Sequence, residues 1–210
     1  MDKITVRSRQ PDAIRNVILW SLFPTLVLFL SAPAVGDAQV TTSITSTPGA
    51  GNLATTVTHT GNLYDITGGT RPGDGPNLFH SFGDFSVGSG DIANFLNTPV
   101  NGSLPLTSNI LGRVTGGNIS SIYGTIQTTD FGNANLFLVN PSGFVFGPNG
   151  SVDVGGSVSF TTAQYLRLFD SLNGVSANFY ANPANDGLAN SVLAVAPVVD
   201  FGFLSPAAYG

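Results

Sequence analysis

The chain has 210 residues, a formal net charge of −5 and no cysteine, so disulfide bonds and thiol chemistry are excluded. Four of its seven basic residues lie in the first 38 positions, and the rest of the chain carries three arginines against nine aspartates. That acidic remainder is a poor partner for nucleic acid or for an anionic membrane surface.

The first predicted element is a secretory signal peptide over residues 1–38. Its basic residues precede the uncharged run Val17–Leu30, which at 14 residues is shorter than the roughly 20 that a membrane-spanning helix needs. Small side chains then predict cleavage between Ala38 and Gln39, while cleavage after Ala34 and an uncleaved anchor are the less favoured alternatives. The sequence has no twin-arginine pair, so we expect export through the general secretion machinery.

Residues 39–210 form one predicted domain of the all-β class. They contain no Lys or Glu and are rich in Gly, Asn, Ser, Thr and Val, which favours short strands and tight turns over exposed helices. From Gln39 to Thr60, Thr and Ser alternate with apolar residues at the two-residue period of a half-buried strand. The Gly- and Pro-rich stretch Gly68–Pro76 predicts a loop between elements.

Between residues 109 and 162 the pattern is most regular, because short apolar runs are separated by Gly, Asn, Pro or Asp. Strands this short suit a solenoid with coils of about 20 residues, in which asparagines of neighbouring coils bond into a ladder. A sandwich of hairpins is the alternative, and the stretch 162–169 fits either a helical turn or another strand. The runs are Ile110–Val114, Ile122–Gln127, Leu136–Val139, Phe144–Phe146, Val152–Val154 and Val158–Thr161.

Four separated motifs of this region carry a family resemblance. They are Asn77-Leu78-Phe79-His80-Ser81-Phe82, Asn109-Ile110-Leu111-Gly112-Arg113-Val114-Thr115-Gly116-Gly117, Asn135-Leu136-Phe137-Leu138-Val139-Asn140-Pro141-Ser142-Gly143-Phe144-Val145-Phe146-Gly147 and Asp153-Val154-Gly155-Gly156-Ser157. In this order, and over roughly residues 40–203, they resemble the filamentous haemagglutinin N-terminal domain, which is also called the two-partner secretion domain.

The resemblance implies a right-handed parallel β-helix with an N-terminal cap and short extra-helical strands. It also implies a secreted or cell-surface protein of a Gram-negative bacterium that passes the periplasm unfolded. Its partner would be an outer-membrane transporter with periplasmic docking domains, which recognises the domain. The domain would then nucleate the β-helix outside the cell, and no cofactor is implied.

The family's Asn-Pro-Asn-Gly signature corresponds to Asn140, Pro141, Ser142 and Gly143, with Ser in place of the second Asn. The companion Asn-Pro-Asn-Leu signature has no clear copy, which weakens the assignment of these side chains as transporter contacts. The residues themselves predict a tight turn, with Pro setting φ and Gly supplying a positive φ. We therefore favour a turn that the fold requires over a direct recognition role.

Enzymatic activity is not predicted, because the mature chain offers few titratable side chains. His80 lies among phenylalanines and is interpreted as a packed histidine bonded to the backbone. The spacings typical of metal sites are absent from the sequence, so no metal is expected.

The enzymatic rival is a polysaccharide lyase, since such enzymes also use parallel β-helices and place Asp and Arg along one groove. Its candidate residues here are Asp130, Asp153 and Asp170. Each lies near a predicted turn, where Asp is expected for conformational reasons, and fold analogy alone does not establish activity. Arg113 and Arg167 are instead expected to pair with nearby aspartates.

The second functional class is an adhesin that binds glycans or proteins on a host or neighbouring cell, since large relatives carry such activity on C-terminal repeats. The chain stops at Gly210 without such repeats. We interpret it as a fragment truncated at its C-terminal end, with a stand-alone domain as the alternative. Residues near 192–204 are expected to leave an unpaired coil able to stack on further sequence or on another copy.

Overall fold

The computed structural model describes residues 39–188 and 190–204, so the predicted signal peptide lies outside the described residues. Within these ranges the chain forms strands and short 3₁₀ turns, and no helix there is long and apolar enough to cross a membrane. The turns are Gly49–Asn52, Pro72–Asp74 and Pro183–Asn185. The strands are β1 (Ser43–Ser46), β2 (Thr55–Thr60), β3 (Leu63–Gly68), β4 (Asn77–Ser86), β5 (Ile92–Leu96), β6 (Asn109–Val114), β7 (Ser120–Ile122), β8 (Thr125–Thr129), β9 (Asn135–Val139), β10 (Phe144–Phe146), β11 (Ser151–Asp153), β12 (Val158–Thr161), β13 (Tyr165–Asp170), β14 (Val175–Tyr180) and β15 (Val198–Gly202).

Three sheets wrap the chain into a solenoid. Sheet A has the strand order β1-β4-β6-β9-β12, sheet B has the order β11-β8-β5-β3-β2, and sheet C pairs β10 with β7. The chain visits the sheets in turn, so that β6, β7 and β8 form one coil and β9, β10 and β11 form the next. All pairings between these coils are parallel. The predicted all-β class and parallel stacking are confirmed, whereas the right hand of the helix stays a prediction.

The two ends of the solenoid differ. At the first coil, β1 pairs antiparallel with β4 and β2 pairs antiparallel with β3, so added strands cover both sheet edges. At the other end, β10, β11 and β12 each pair with one strand only in the described part of the chain. The side chains there are correspondingly open to solvent, since Phe146 is 45% and Val152 38% exposed.

The interior of the coils is filled with large apolar side chains. Phe82, Phe85 and Phe95 are almost completely buried, and their ring centroids lie 5.0, 6.0 and 6.1 Å apart in pairs. Such aromatic contacts add to the free energy of burial itself. The strands are short, so the packing of such side chains inside the coils, rather than the length of any one strand, stabilises the solenoid.

A ladder of asparagines runs along the start of sheet A. Asn77, Asn109 and Asn135 are aligned in successive strands. The Nδ2 of Asn109 donates to the Oδ1 of Asn77 at 2.8 Å, and the Nδ2 of Asn135 donates to the Oδ1 of Asn109 at 3.1 Å. Asn77 in turn donates to the carbonyls of Ala194 and Ala196, at 2.8 and 2.7 Å. The predicted ladder is confirmed, and it satisfies amides that are otherwise costly to bury.

Residues 163–204, called the cover segment below, form the extra-helical part of the domain. Their strands make an antiparallel sheet in the order β14-β13-β15. This sheet packs on side chains that point outward from sheet A, and together they form a second apolar cluster. The buried members are Phe79, Leu111 and Val139 of sheet A with Leu166, Leu168, Ala177, Phe179, Ala181, Ala194 and Ala196 of the cover segment.

Two local expectations are changed by the structure. The predicted run Ile122–Gln127 is divided between β7 and β8, and the solenoid turns a corner at Gly124. A Cβ atom on Gly124 would lie 2.3 Å from the carbonyl oxygens of Gly88 and Asp91, so only glycine fits this close approach of coils. The ambiguous stretch 162–169 leads into a strand, β13.

The expectation that residues near 192–204 form an open coil is wrong. Within this stretch β15 pairs antiparallel with β13, with Phe201 opposite Leu166 and Asp200 opposite Arg167. The segment therefore returns to the cover sheet, because Leu166 and its neighbours offer it an apolar partner. The open end of the solenoid is formed by β10, β11 and β12 instead.

Candidate functional site

The predicted recognition motif forms the turn between β9 and β10. Asn140 is 1% exposed, and its Nδ2 donates to the carbonyl of Asn118 and to the Oγ of Ser120, both at 2.9 Å. Its Oδ1 accepts the Ser142 amide at 2.9 Å. The turn is closed by the amide of Gly143, which donates to the carbonyl of Asn140 at 2.9 Å. Gly143 has the expected positive φ, +101°. The side chain of Asn140 is thus fully engaged within the fold.

The other two motif residues face a cleft. Pro141 is exposed and Ser142 is half-buried, with the Ser142 Oγ donating to the carbonyl of Gly117 at 2.8 Å. The cleft has a volume of about 460 Å³, and the described residues that line it are all uncharged. It offers amides and hydroxyls for hydrogen bonding but no acid–base pair. Its lining consists of Val114, Thr115, Gly117, Pro141, Ser142, Gln164, Ala181, Asn182, Ala184 and Asn185.

A buried arginine ties the cover segment to the solenoid beside this cleft. The side chain of Arg113 is 1% exposed, and its guanidinium donates to both carboxylate oxygens of Asp186, at 3.0 and 3.2 Å. It also donates to the carbonyl of Tyr180 at 3.0 Å and to the Oγ of Ser81 at 2.9 Å. Its Cζ lies 5.3 Å from the centroid of the Phe179 ring. The predicted pairing of Arg113 with an aspartate is confirmed.

His80 is buried among aromatic rings, as predicted. Its ring lies 6.0 Å from that of Phe82 and 5.7 Å from that of Phe95, measured between centroids. The expected bond to the backbone is wrong, because the Nδ1 of His80 meets the hydroxyl of Thr55 at 3.3 Å. Burial, aided by the positive charge of Arg71, lowers the pKa of His80 to about 3. The imidazole is therefore neutral at physiological pH and serves packing.

This low pKa predicts an acid-sensitive fold. An unfolded histidine has a pKa of about 6.5, so the unfolded state binds a proton below that value while the folded His80 does not. The free energy of unfolding is therefore highest above pH 6.5 and falls as the pH is lowered towards 3. The loss is about 2 kcal/mol between pH 7 and pH 5. Urea unfolding of residues 39–210 at both pH values measures this change.

The exposed His59 supplies the control for this measurement, since its side chain contacts the carbonyl of Gly61 at the surface. His59→Gln should keep the pH dependence of the free energy of unfolding, whereas His80→Gln should remove most of it. Equal pH dependence in both variants would assign the acid sensitivity to other groups.

The aspartates considered for a lyase lie in separate local structures. Asp130 occupies a turn with a φ of +63°, and Asp153 is the exposed last residue of β11. Asp170 accepts bonds from the amides of Leu172 and Asn173. A hydrogen bond from the side chain of Asn173 is the main cause that lowers the pKa of Asp170. Asp130 and Asp170 thus have conformational roles of their own, whereas Asp153 lies exposed at the end of a strand.

Arg167 does not form the expected ion pair within the described residues. It faces Asp200 across β13 and β15, but its Cζ lies 5.4 Å from the centroid of the Phe169 ring. The described chain also contains no group of three or more His or Asp side chains arranged to hold a metal ion.

The partners that hold the motif turn are not predicted from the sequence. Asn118 and Ser120 precede Asn140 by 22 and 20 residues, which is one coil of the solenoid. The signal in the sequence that points to them is their polar character about one coil before the motif. Of the predicted cleavage site, Ala38 lies outside the described residues and Gln39 is the exposed first residue of the described chain.

These features define a class of protein: a parallel β-solenoid with an extra-helical sheet, in which the cleft beside the motif turn has an uncharged lining. The family model for the TPS (two-partner secretion) domain matches residues 39–195, and the chain belongs to this family. It is thus a secretion domain of an exported protein that works with a cognate outer-membrane transporter. No curated protein matches the chain.

Proposed function

We propose that residues 39–210 are recognised by an outer-membrane transporter with periplasmic docking domains and then nucleate a β-helix outside the cell, without enzymatic activity. In this proposal residues 1–38 direct the chain through the general secretion machinery and are removed between Ala38 and Gln39. The family match begins at residue 39, which supports that boundary. The route then leads through the periplasm of a Gram-negative cell to the outside or to the cell surface.

The observation that carries the nucleation role is the difference between the two ends of the solenoid. Antiparallel strands cover the first coil, so coils can be added in one direction only. At the other end, Phe160 packs edge-on against Phe144 and Phe146, with ring centroids 5.3 and 4.9 Å apart. A further coil that stacks on Phe146 and Val152 would bury their exposed apolar surface and satisfy the free strand edges.

For transporter recognition, the turn Asn140–Gly143 is the proposed motif. In the folded domain its accessible side chains are those of Pro141 and Ser142, because Asn140 is buried. In the unfolded chain all four residues are available. Exchange of Pro141 therefore tests recognition with little loss of packing, whereas exchange of Asn140 removes bonds that the fold uses and would confuse the two roles.

Export from a Gram-negative host that carries the cognate transporter tests the proposal. We expect the wild-type chain in the medium only when the transporter is present. Pro141→Ala should lower export severalfold, while the matched turn variant Pro148→Ala should not. Pro148 is also exposed and is likewise followed, two residues on, by a glycine.

The outcomes separate the two parts of the proposal. Wild-type chain that stays in the periplasm despite the transporter would reject the secretion role. Equal export of the Pro141 and Pro148 variants would reject the recognition role of the motif alone. Release of reducing sugar from acidic polysaccharides by the purified chain would contradict the absence of enzymatic activity.

A further inference from the structure

The cover segment is joined to the solenoid almost without backbone hydrogen bonds. Its strand pairings are internal, β13 with β14 and β13 with β15. Between residues 39–162 and the described part of residues 163–204, no backbone–backbone hydrogen bond crosses. By contrast, successive coils are joined by continuous parallel ladders. The cover sheet can therefore leave the solenoid without breaking the backbone pairing of sheet A or sheet B.

Apart from the chain connection at residues 162–163, two solenoid residues make the polar contacts with the cover segment. Arg113 donates to Tyr180 and Asp186, and Asn77 donates to Ala194 and Ala196. The carboxylate of Asp186 is the only charged partner of Arg113 among the described residues, and it is 47% exposed. Charge-assisted, bidentate bonds of this kind are stronger than neutral ones and fix geometry.

The remaining attachment is apolar and lies on the outer face of sheet A. Phe79, Leu111 and Val139 point outward from sheet A and pack on the cover sheet, with the rings of Phe79 and Phe179 edge-on at 5.0 Å. Local regions with few tertiary contacts open at lower free energy than the rest of a protein. Loss of the cover would also leave Arg113 without the carboxylate of Asp186.

We propose that the cover segment is a separate cooperative unit that opens from sheet A while the coils stay paired, and that Arg113 is the positioning residue that holds it closed. Opening exposes a strip of Phe79, Leu111 and Val139 on the outer face of sheet A. The domain thus has two states, a closed one with two apolar cores and an open one with a bare outer face. This device is independent of the proposed export role.

Native-state hydrogen exchange on residues 39–210 tests the proposal. We expect the amides of β13, β14 and β15 to exchange together and faster than those of β6, β8 and β9. Asp186→Asn keeps the shape of the side chain and removes its charge. It should speed exchange of the cover amides about tenfold and leave the coil amides unchanged. Asp200→Asn is the matched control, since its carboxylate accepts only the amide of Phe201 in the described chain.

A second variant distinguishes opening of the cover segment from a general loss of stability of the domain. Phe179→Leu reduces the apolar contact and removes the ring face beside Arg113, but it keeps both charges of the ion pair. It should also act first on the cover amides. Equal exchange rates for cover and coils in the wild type, or coils that open together with the cover in either variant, would show one cooperative unit and overturn the proposal.

Discussion

Arg113→Ala is expected to lower the free energy of unfolding of residues 39–210 by about 3 kcal/mol. The change leaves the carbonyl of Tyr180 and the hydroxyl of Ser81 without the donor that the structure gives them, and it leaves Asp186 without its counter-charge. Removal of one partner of a buried pair costs about 3–5 kcal/mol. The low end applies here because Asp186 is 47% exposed and can regain water.

Urea unfolding followed by circular dichroism measures this loss. Arg167→Ala is the matched control, because Arg167 is exposed and its recorded contact is with the face of Phe169. Surface changes of that kind stay within about 0.5 kcal/mol. Equal losses in the two variants would mean that the bonds of Arg113 add nothing to the fold.

Gly124→Ala is expected to cost about 3 kcal/mol, the upper part of the range for overpacked sites. Its Cβ would meet the carbonyl oxygens of Gly88 and Asp91 at 2.3 Å and the side chain of Val87 at 2.8 Å. Two of these contacts are with backbone, so relief requires the preceding coil to move. The corner between β7 and β8 would then be forced away from its neighbour.

Gly187→Ala provides the control for this steric argument, since a Cβ there has no neighbour within 4 Å. Neither glycine has a positive φ, so the two variants differ only in the space available. Thermal unfolding compares them, and a Gly124 variant as stable as the Gly187 variant would show that the corner yields at little cost.

The regular part of the fold could be predicted because its signals are local or repeat at the length of a coil. The short apolar runs, the amide ladder from Asn77 to Asn135 and the positive φ of Gly143 follow from residue type and spacing. The motif Asn140–Gly143 was likewise predicted as a turn. Its structural role could be inferred, because Asn and Gly have well-defined preferences for positions in turns.

The rest depends on contacts between distant parts of the chain. Arg113 meets Asp186 across 73 residues, and no sequence period connects these two positions. The division of Ile122–Gln127 at Gly124 is set by the coil below, which the run itself does not contain. The sequence predicts an unpaired coil where β15 pairs with β13, because an apolar strand pattern shows that the strand must be covered but not which sheet covers it.

The asparagine ladder also carries a net dipole along the solenoid. The amides of Asn135 and Asn109 donate towards the first coil, and Asn77 in that coil donates onward to the cover segment. The side-chain amide dipoles of the row are thus aligned head to tail. Aligned hydrogen bonds polarise one another, and Asn109 in the middle is strengthened from both sides. A substitution there therefore weakens two neighbours at once, and the row acts as one polarised chain with its positive end at the covered first coil.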